Sequence, residues 1–210
     1  MMSPDTGLLI LGFGGHARSV ADVAIASGIT QLCFIDANAK PNESFCSFPV
    51  KPSVDFELPE DWVVIPAAGD NKKRIEQCEW VIQQGWRLAT LISPSATIGV
   101  GAQIGEGTFI AHHAHVGPMA FVGRGCIINT GAIVEHECVV GDYNHISVGA
   151  VVAGRSRIGN RCFLGAGSTV IDGLQVTDDV MLGAGACAHR NLEEAGTYVG
   201  VPAKVLGRKH

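Results

Sequence analysis

Ile98-Gly99-Val100-Gly101-Ala102-Gln103-Ile104-Gly105-Glu106-Gly107-Thr108-Phe109-Ile110 places an aliphatic residue at every sixth position. The pattern continues well past this stretch. Counting in sixes from Ile92 gives Ile98, Ile104, Ile110, Val116, Val122, Ile128, Val134, Val140, Ile146, Val152, Ile158, Leu164, Val170, Val176 and Leu182, with no slip in phase. The next residue is often glycine, as at Gly99, Gly105, Gly117, Gly123, Gly141 and Gly159. The fifth position of each hexad is usually small, as at Thr108, Ala114, Cys126, Ala132, Cys138, Ser156 and Cys162. Helices and strands impose periods of about 3.6 and 2 residues, and neither produces this pattern. A six-residue repeat is the mark of a parallel β-helix, in which each hexad forms one flat face and three faces close one coil. The aliphatic residue fills the coil, and a small residue sits beside it because the prism is narrow. The glycines are expected at tight corners that need positive φ. Cys126, Cys138 and Cys162 occupy the small inward slot and are expected to behave as inert, compact hydrophobes.

Upstream of Ile92 the period changes. Leu8-Leu9-Ile10-Leu11 is a continuous apolar run of the kind found in buried parallel strands, and it leads into Gly12-Phe13-Gly14-Gly15-His16-Ala17. Residues 17–27 carry a helical pattern, with Val20, Val23, Ala24 and Ser27 on one side. Leu32–Ile35 and Trp62–Ile65 read as further strands, and residues 71–84 as a second helix with Ile75, Cys78, Val81 and Ile82 inward. Strands alternating with helices imply a small parallel α/β sheet. The expected division is an α/β, Rossmann-like region over residues 1–88 followed by a β-helix over residues 89–210.

Composition excludes several functions. A net charge of −5 argues against a nucleic-acid partner, which requires a basic face. No apolar run approaches the length of a membrane span, and Met1–Gly7 lacks a signal-peptide layout, so a cytoplasmic location without membrane insertion is expected. Seven cysteines with no CxxC pair fit reduced thiols. His112, His113 and His115 are adjacent, but no carboxylate or cysteine completes a tetrahedral set, so no metal is expected.

The unbroken hexads, the closing Val199-Gly200-Val201-Pro202-Ala203-Lys204, the N-terminal glycine loop and Glu135-His136-Glu137-Cys138 together resemble one family along nearly the whole chain. It is the family of left-handed β-helix (hexapeptide-repeat) acetyltransferases of the sialic acid O-acetyltransferase type, which includes nucleotide-amino-sugar N-acetyltransferases. The resemblance implies a left-handed parallel β-helix, acetyl-CoA as co-substrate, a nucleotide-diphosphate amino sugar as acceptor, a homotrimer with sites between neighbouring β-helices, and a place in glycan biosynthesis. The implied activity is N-acetylation of a 4-amino-4,6-dideoxy-type sugar, with O-acetylation of sialic acid or another sugar as the alternative. The nucleotide base and the sugar stay open.

Acyl transfer from a thioester to an amine needs a base, an oxyanion donor and a slot for coenzyme A, without any acyl-enzyme. His136, at a corner of its hexad, is the candidate base, with Glu137 beside it to hold the imidazole. By resemblance, His145 contacts the acetyl group, Gly154, Ala166 and Ala184 line the coenzyme A slot, and Asn129 lies near the acceptor. His145 follows His136 by half of an 18-residue coil, so within one chain the two face different sides. The glycine loop nearly satisfies a dinucleotide fingerprint, with Asp36 where a ribose-binding acid belongs, but the α/β region is too short for a full dinucleotide fold. A helix N-terminus cradles any pyrophosphate, and the resemblance assigns Gly14, Gly15, His16, Asp36, Ala37, Gly69 and Asp70 to the nucleotide sugar. Lys72, Lys73 and Arg74 are additional candidates to neutralise phosphate, against the plainer reading of a solvated helix start. Two other classes are weaker. A metal-dependent hydratase of the γ-carbonic anhydrase type leaves the N-terminal region unexplained, and a nicotinamide-linked oxidoreductase leaves the β-helix without a role.

Overall fold

A computed structural model describes residues 6–207. The chain forms two compact units, one ending at Pro94 and one beginning at Ser95. The division falls later than the expected 88/89 boundary because Leu88 bridges to Val64 and the Ala89 N–H donates to the Val64 carbonyl (2.8 Å), which adds these residues to the first unit's sheet.

In the first unit, β1 (Leu8–Leu11), α1 (Gly15–Ala26), β2 (Leu32–Ile35), β3 (Ser44–Phe45), β4 (Phe48–Lys51), β5 (Val63–Pro66) and α2 (Asn71–Gln83) follow in order. The sheet order is β3-β4-β2-β1-β5. β1 lies centrally, parallel to β2 and β5, with Leu8 opposite both Leu32 and Val63. Leu8, Leu9, Ile10, Val64 and Ile65 are fully buried, as the continuous apolar runs require. Helix α1 turns Ala17, Val20, Val23 and Ala24 inward. Helix α2 buries Cys78 and Val81, but Ile82 is half exposed, one position off the inward stripe. The antiparallel β3–β4 hairpin, which makes the sheet mixed, has no counterpart in the sequence reading. Its turn places Cys46 and Ser47 at φ 49° and 72°, without the Asn-Gly or Asp-Gly pair that usually marks such a turn.

The second unit is a parallel β-helix. Its two-residue strands stack so that each residue pairs with the one 18 positions on, as in Phe109–Ile127–His145–Phe163. The other two faces carry His115–Ile133–Val151–Thr169 and Phe121–Val139–Arg157–Gln175. From Ile110 to Leu182 every sixth-position aliphatic is buried, whereas Ile98, on an edge strand in the first coil, is 40% exposed. Gly196–Val199 and the antiparallel Lys204–Val205 close one sheet at the other end.

Two details refine the repeat. The glycine after each aliphatic does not serve positive φ. At Gly117 an added Cβ would lie 2.6 Å from the His136 backbone nitrogen of the next coil, so glycine is required by the close approach of stacked corners. Positive φ falls two residues later in each hexad, often on non-glycine residues such as Met119, Glu137 and Arg155. The small inward slot is more than a steric allowance. Thr108 Oγ1, the Cys126, Cys138 and Cys162 thiols and Ser156 Oγ each donate to a corner carbonyl 15 residues on, at 2.8–3.1 Å. Asn144 belongs to the same series. Its Nδ2 donates to the Gly141 (2.8 Å) and Gly159 (2.7 Å) carbonyls, and its Oδ1 accepts the Cys162 N–H (2.6 Å). These side chains satisfy carbonyls that turn into the dry prism. Burial pushes the Cys138 thiol up and the Cys162 thiol up to about 11, which fits inert thiols.

Candidate active site

His136 follows the strand Ile133–Val134 at a corner of the β-helix, with its side chain 41% exposed. Three contacts fix it. Its backbone N–H donates to Glu135 Oε2 (3.0 Å), its Nδ1 faces Glu137 Oε2 (3.4 Å), and its ring rests on Gly154, one coil along. A Cβ at Gly154 would lie 2.5 Å from His136 Nε2 and 2.6 Å from Cε1, so the ring fits only over glycine. Glu137 sits at φ 58°, and its backbone N–H is tied to the Pro118 carbonyl (3.0 Å). A carboxylate on Nδ1 favours the tautomer with the proton there, leaving the Nε2 lone pair as the base. Gly154 is buried, and its N–H has no hydrogen-bond partner among the described residues.

His145 begins the strand His145–Ile146 in a different sheet, so the structure does not bring it to His136. It is buried, edge-on to Phe163 at 4.8 Å, and its Nε2 lies 3.1 Å from Asn129 Nδ2. The Thr130 N–H donates to Asn129 Oδ1 (2.8 Å), which orients the amide so that Nδ2 donates to the imidazole. His145 Nε2 is therefore an acceptor, and its proton lies on Nδ1. Ala166 and Ala184 occupy the same kind of corner as Asn129-Thr130, whereas Gly154 shares the corner of His136. The expected residues thus form two columns on two corners of one β-helix. His136, Glu137 and Gly154 form one column. Asn129, Ala166 and Ala184, with His145 on the adjoining face, form the other.

His112, His113 and His115 do not form a ligand set. His112 Nδ1 pairs with Ser95 Oγ (3.0 Å) and His115 Nδ1 with Thr97 Oγ1 (2.7 Å). No group of three or more His, Cys, Asp or Glu side chains among the described residues is arranged to hold a metal ion.

In the first unit, Gly14 caps α1 without a side-chain bond, and no acidic residue lies in the helix's first turn. Neither Gly14 nor Gly15 has positive φ, and an added Cβ at either would meet nothing within 4 Å. Neither crowding nor strain within the chain therefore requires these glycines. They leave space against the helix N-terminus, the arrangement that admits a phosphate. Gly12, at φ 110°, is the glycine that the turn itself requires. Asp36 braces the loop, accepting the Phe13 N–H at Oδ2 (2.9 Å) and the Asn38 N–H at Oδ1 (2.9 Å). Gly69 lies beside His16, with its missing Cβ 3.9 Å from the His16 Cβ. Asp70 caps α2, accepting the Lys73 N–H (2.9 Å). Arg74 is not a phosphate ligand. It is 1% exposed, and its guanidinium donates to the Ala68 carbonyl (3.0 Å) and to Asn71 Oδ1 (2.7 Å), which holds the 68–71 turn.

A cleft of about 510 Å³ opens beside the end of β1, lined by Asp36, Ala37, Lys73, Glu76, Gln77 and Trp80 among others. Gln77 bridges its floor, donating from Nε2 to the Leu11 carbonyl (2.9 Å) and accepting the Ala68 N–H (3.0 Å). The sequence reading missed Lys73, Glu76, Gln77 and Trp80 as one group. Their spacing on α2, at i, i+3, i+4 and i+7, was the available signal.

Known proteins share this fold along nearly the whole chain. Residues 7–81 match the PglD N-terminal domain family. The acetyltransferase domain of PglB from Neisseria gonorrhoeae FA1090, in complex with acetyl coenzyme A, is 33% identical, with 95% of this chain and 98% of that one covered and a TM-score of 0.90. The H-to-A variant of GDP-perosamine N-acetyl transferase from Caulobacter crescentus, in complex with CoA and GDP-perosamine, is 31% identical, with 97% and 98% covered and a TM-score of 0.87. WeeI from Acinetobacter baumannii AYE, at 21% identity and a TM-score of 0.83, shares the fold. A search of curated proteins gave no match. With relatives above 30% identity along nearly the whole chain, and the hexad scaffold and His136 corner in place, the protein belongs to the hexapeptide-repeat sugar acetyltransferase family.

Proposed function

We propose that this chain transfers the acetyl group of acetyl-CoA to the amino group of a nucleotide-linked sugar of the 4-amino-4,6-dideoxy type. The observation that carries the reading is the His136 corner. A half-exposed imidazole has a carboxylate on Nδ1, and the N–H of the glycine beneath the ring is unpaired among the described residues. His136 Nε2 accepts a proton from the acceptor nitrogen, whose lone pair attacks the thioester carbonyl carbon. The carbon–sulfur bond then breaks and coenzyme A leaves. Glu137 holds the ring and supports the imidazolium, and the Gly154 N–H is a donor for the oxyanion. Asn129 fixes the tautomer of His145. The column with His145, Ala166 and Ala184 meets the His136 column when a second copy supplies it, as in the homotrimer implied by the family. The open glycine loop of Gly14, Gly15 and His16, with Asp36 and Ala37 at the cleft and Gly69 and Asp70 at the neighbouring turn, receives the nucleotide diphosphate. The relative with CoA and GDP-perosamine bound supports the same pair of ligands here.

The test is coenzyme A release, followed by thiol titration, over UDP-, dTDP- and GDP-linked amino sugars and hydroxyl acceptors such as sialic acid. Release with one amino sugar supports the proposal. Release only with hydroxyl acceptors moves the assignment to O-acetylation, and release with neither overturns it.

Gly154→Ala provides a second check. The added methyl displaces the His136 ring from a corner where the backbone conformation tolerates alanine, since Gly154 does not adopt positive φ. The expected result is a fall in kcat of about tenfold or more with the melting temperature nearly unchanged, because a displaced base loses its alignment with the acceptor. Unchanged kcat would show that the ring does not need its seat on glycine.

A further inference from the structure

The column that carries His136 continues one coil further. Asp172 follows Gly154 by 18 residues, and its Oδ1 lies 3.0 Å from the same empty Cβ position that lies 2.5 Å from His136 Nε2. Both atoms therefore lie over the same face of Gly154, near enough to each other for a single nitrogen to hydrogen-bond both. Asp172 Oδ2 pairs with Arg155 Nη2 at 2.6 Å, which leaves Oδ1 as the oxygen over the Gly154 corner. The two carboxylates next to His136 in sequence are engaged elsewhere, Glu135 with the His136 backbone N–H and Glu137 with Nδ1.

An amino sugar and its hydroxyl counterpart differ in charge. The amine reaches the enzyme largely as an ammonium with three donors, whereas the hydroxyl is neutral with one donor. A carboxylate beside the base is a receptor for the ammonium and offers little extra to the hydroxyl.

We infer that Asp172, held by Arg155, binds the acceptor's ammonium next to His136 and selects amines over hydroxyls. The inference rests on the acetyl-transfer reading above. The ammonium donates one N–H to Asp172 Oδ1 and gives a second proton to His136 Nε2, which frees the nitrogen lone pair. Nitrogen then bonds to the thioester carbonyl carbon and the carbon–sulfur bond breaks. The proton left on nitrogen beyond the amide N–H passes to the departing thiolate, and the imidazolium releases its proton to water. Asp172 is not protonated at any step. Arg155 and Asp172 are both more than half exposed on a corner, so neither is needed to fill the core.

The experiment compares wild type, Asp172→Asn, Asp172→Glu and Arg155→Gln on a nucleotide-linked amino sugar and on the same sugar with a hydroxyl in place of the amine. Coenzyme A release gives kcat and KM. Calorimetry in the presence of free coenzyme A gives affinity without turnover. Asp172→Asn is expected to raise KM for the amine about tenfold with a smaller change in kcat, and to cut the amine-to-hydroxyl preference by a similar factor. Asp172→Glu is expected to restore part of the preference, and Arg155→Gln to weaken it less than Asp172→Asn. Equal losses on both acceptors, or no loss on either, overturn the inference and leave the transferase reading intact. If wild type releases no coenzyme A with any acceptor, the transferase reading fails. Calorimetry then decides separately, and equal affinity of wild type for amine and hydroxyl sugars overturns the inference.

Discussion

Replacing His136 with alanine is expected to lower kcat by about a hundredfold or more, with the melting temperature and the far-ultraviolet spectrum unchanged. The size follows from the role: a positioned general base contributes about 10² to 10⁴ to rate. The side chain is 41% exposed and its ring fills no part of the prism, so its loss removes little packing. His136→Asn keeps a hydrogen-bonding group of similar reach without a titratable nitrogen. It should bind the acceptor as well as wild type does and remain as slow as alanine. A variant with near wild-type kcat would remove His136 from the chemistry and leave the fold assignment untouched. Glu137→Gln should fall between wild type and His136→Ala, because it keeps the contact to Nδ1 and loses the charge that supports the imidazolium.

The second large effect is structural. Asn144→Ala is expected to destabilise the β-helix by about 2–6 kcal/mol, because two buried backbone groups lose a partner at about 1–3 kcal/mol each. The Gly159 carbonyl loses the 2.7 Å bond from Nδ2, and the Cys162 N–H loses the 2.6 Å bond to Oδ1. The Gly141 carbonyl keeps the Cys126 thiol at 3.1 Å. In thermal unfolding followed by circular dichroism, this loss corresponds to a drop of about 10 °C. Cys126→Ala is the milder comparison, since it removes a weaker thiol bond from a carbonyl that Asn144 also serves. A drop of less than about 1 kcal/mol for Asn144→Ala would mean that the corners relax to pair these groups in another way.

Asn144 also shows where sequence reading reached its limit. The hexad ladder identified the coil, its three faces and its inward aliphatics, because burial in a narrow prism permits only one residue class at those positions. The fifth slot read as small, and Asn144 drew no reading of its own. Its purpose appears only when the carbonyls turned inward at the corners are located. The glycines were assigned to the wrong cause for a related reason. Both positive φ and close approach select glycine, and only the contact of Gly117 with the next coil separates the two. In the α/β unit the strands with continuous apolar runs were legible. The β3–β4 hairpin was not, because Cys46-Ser47 carries no turn signature.

The site divides along the same line. His136, Glu137 and the glycine loop stood out as candidates because their residue types and order are distinctive. Arg155 and Asp172 did not, because their neighbours lie 18 residues away and a linear reading does not compare such positions. Arg74 was misread because a basic residue at a helix start usually faces water, whereas this one is buried in its own turn.

Stacking at 18 residues gives the surface of the β-helix a coordinate system in which sequence position sets the face and height of every side chain. A deletion of six residues in a coil would keep all later aliphatics inside and leave the prism well packed. It would also move every downstream side chain to the next face. A deletion between Glu137 and Gly154 would then take glycine from beneath His136 while costing little stability. Insertions and deletions within these coils therefore fall into two kinds, those of 18, which preserve vertical alignment, and those of six or twelve, which yield a folded protein with the His136 column dismantled.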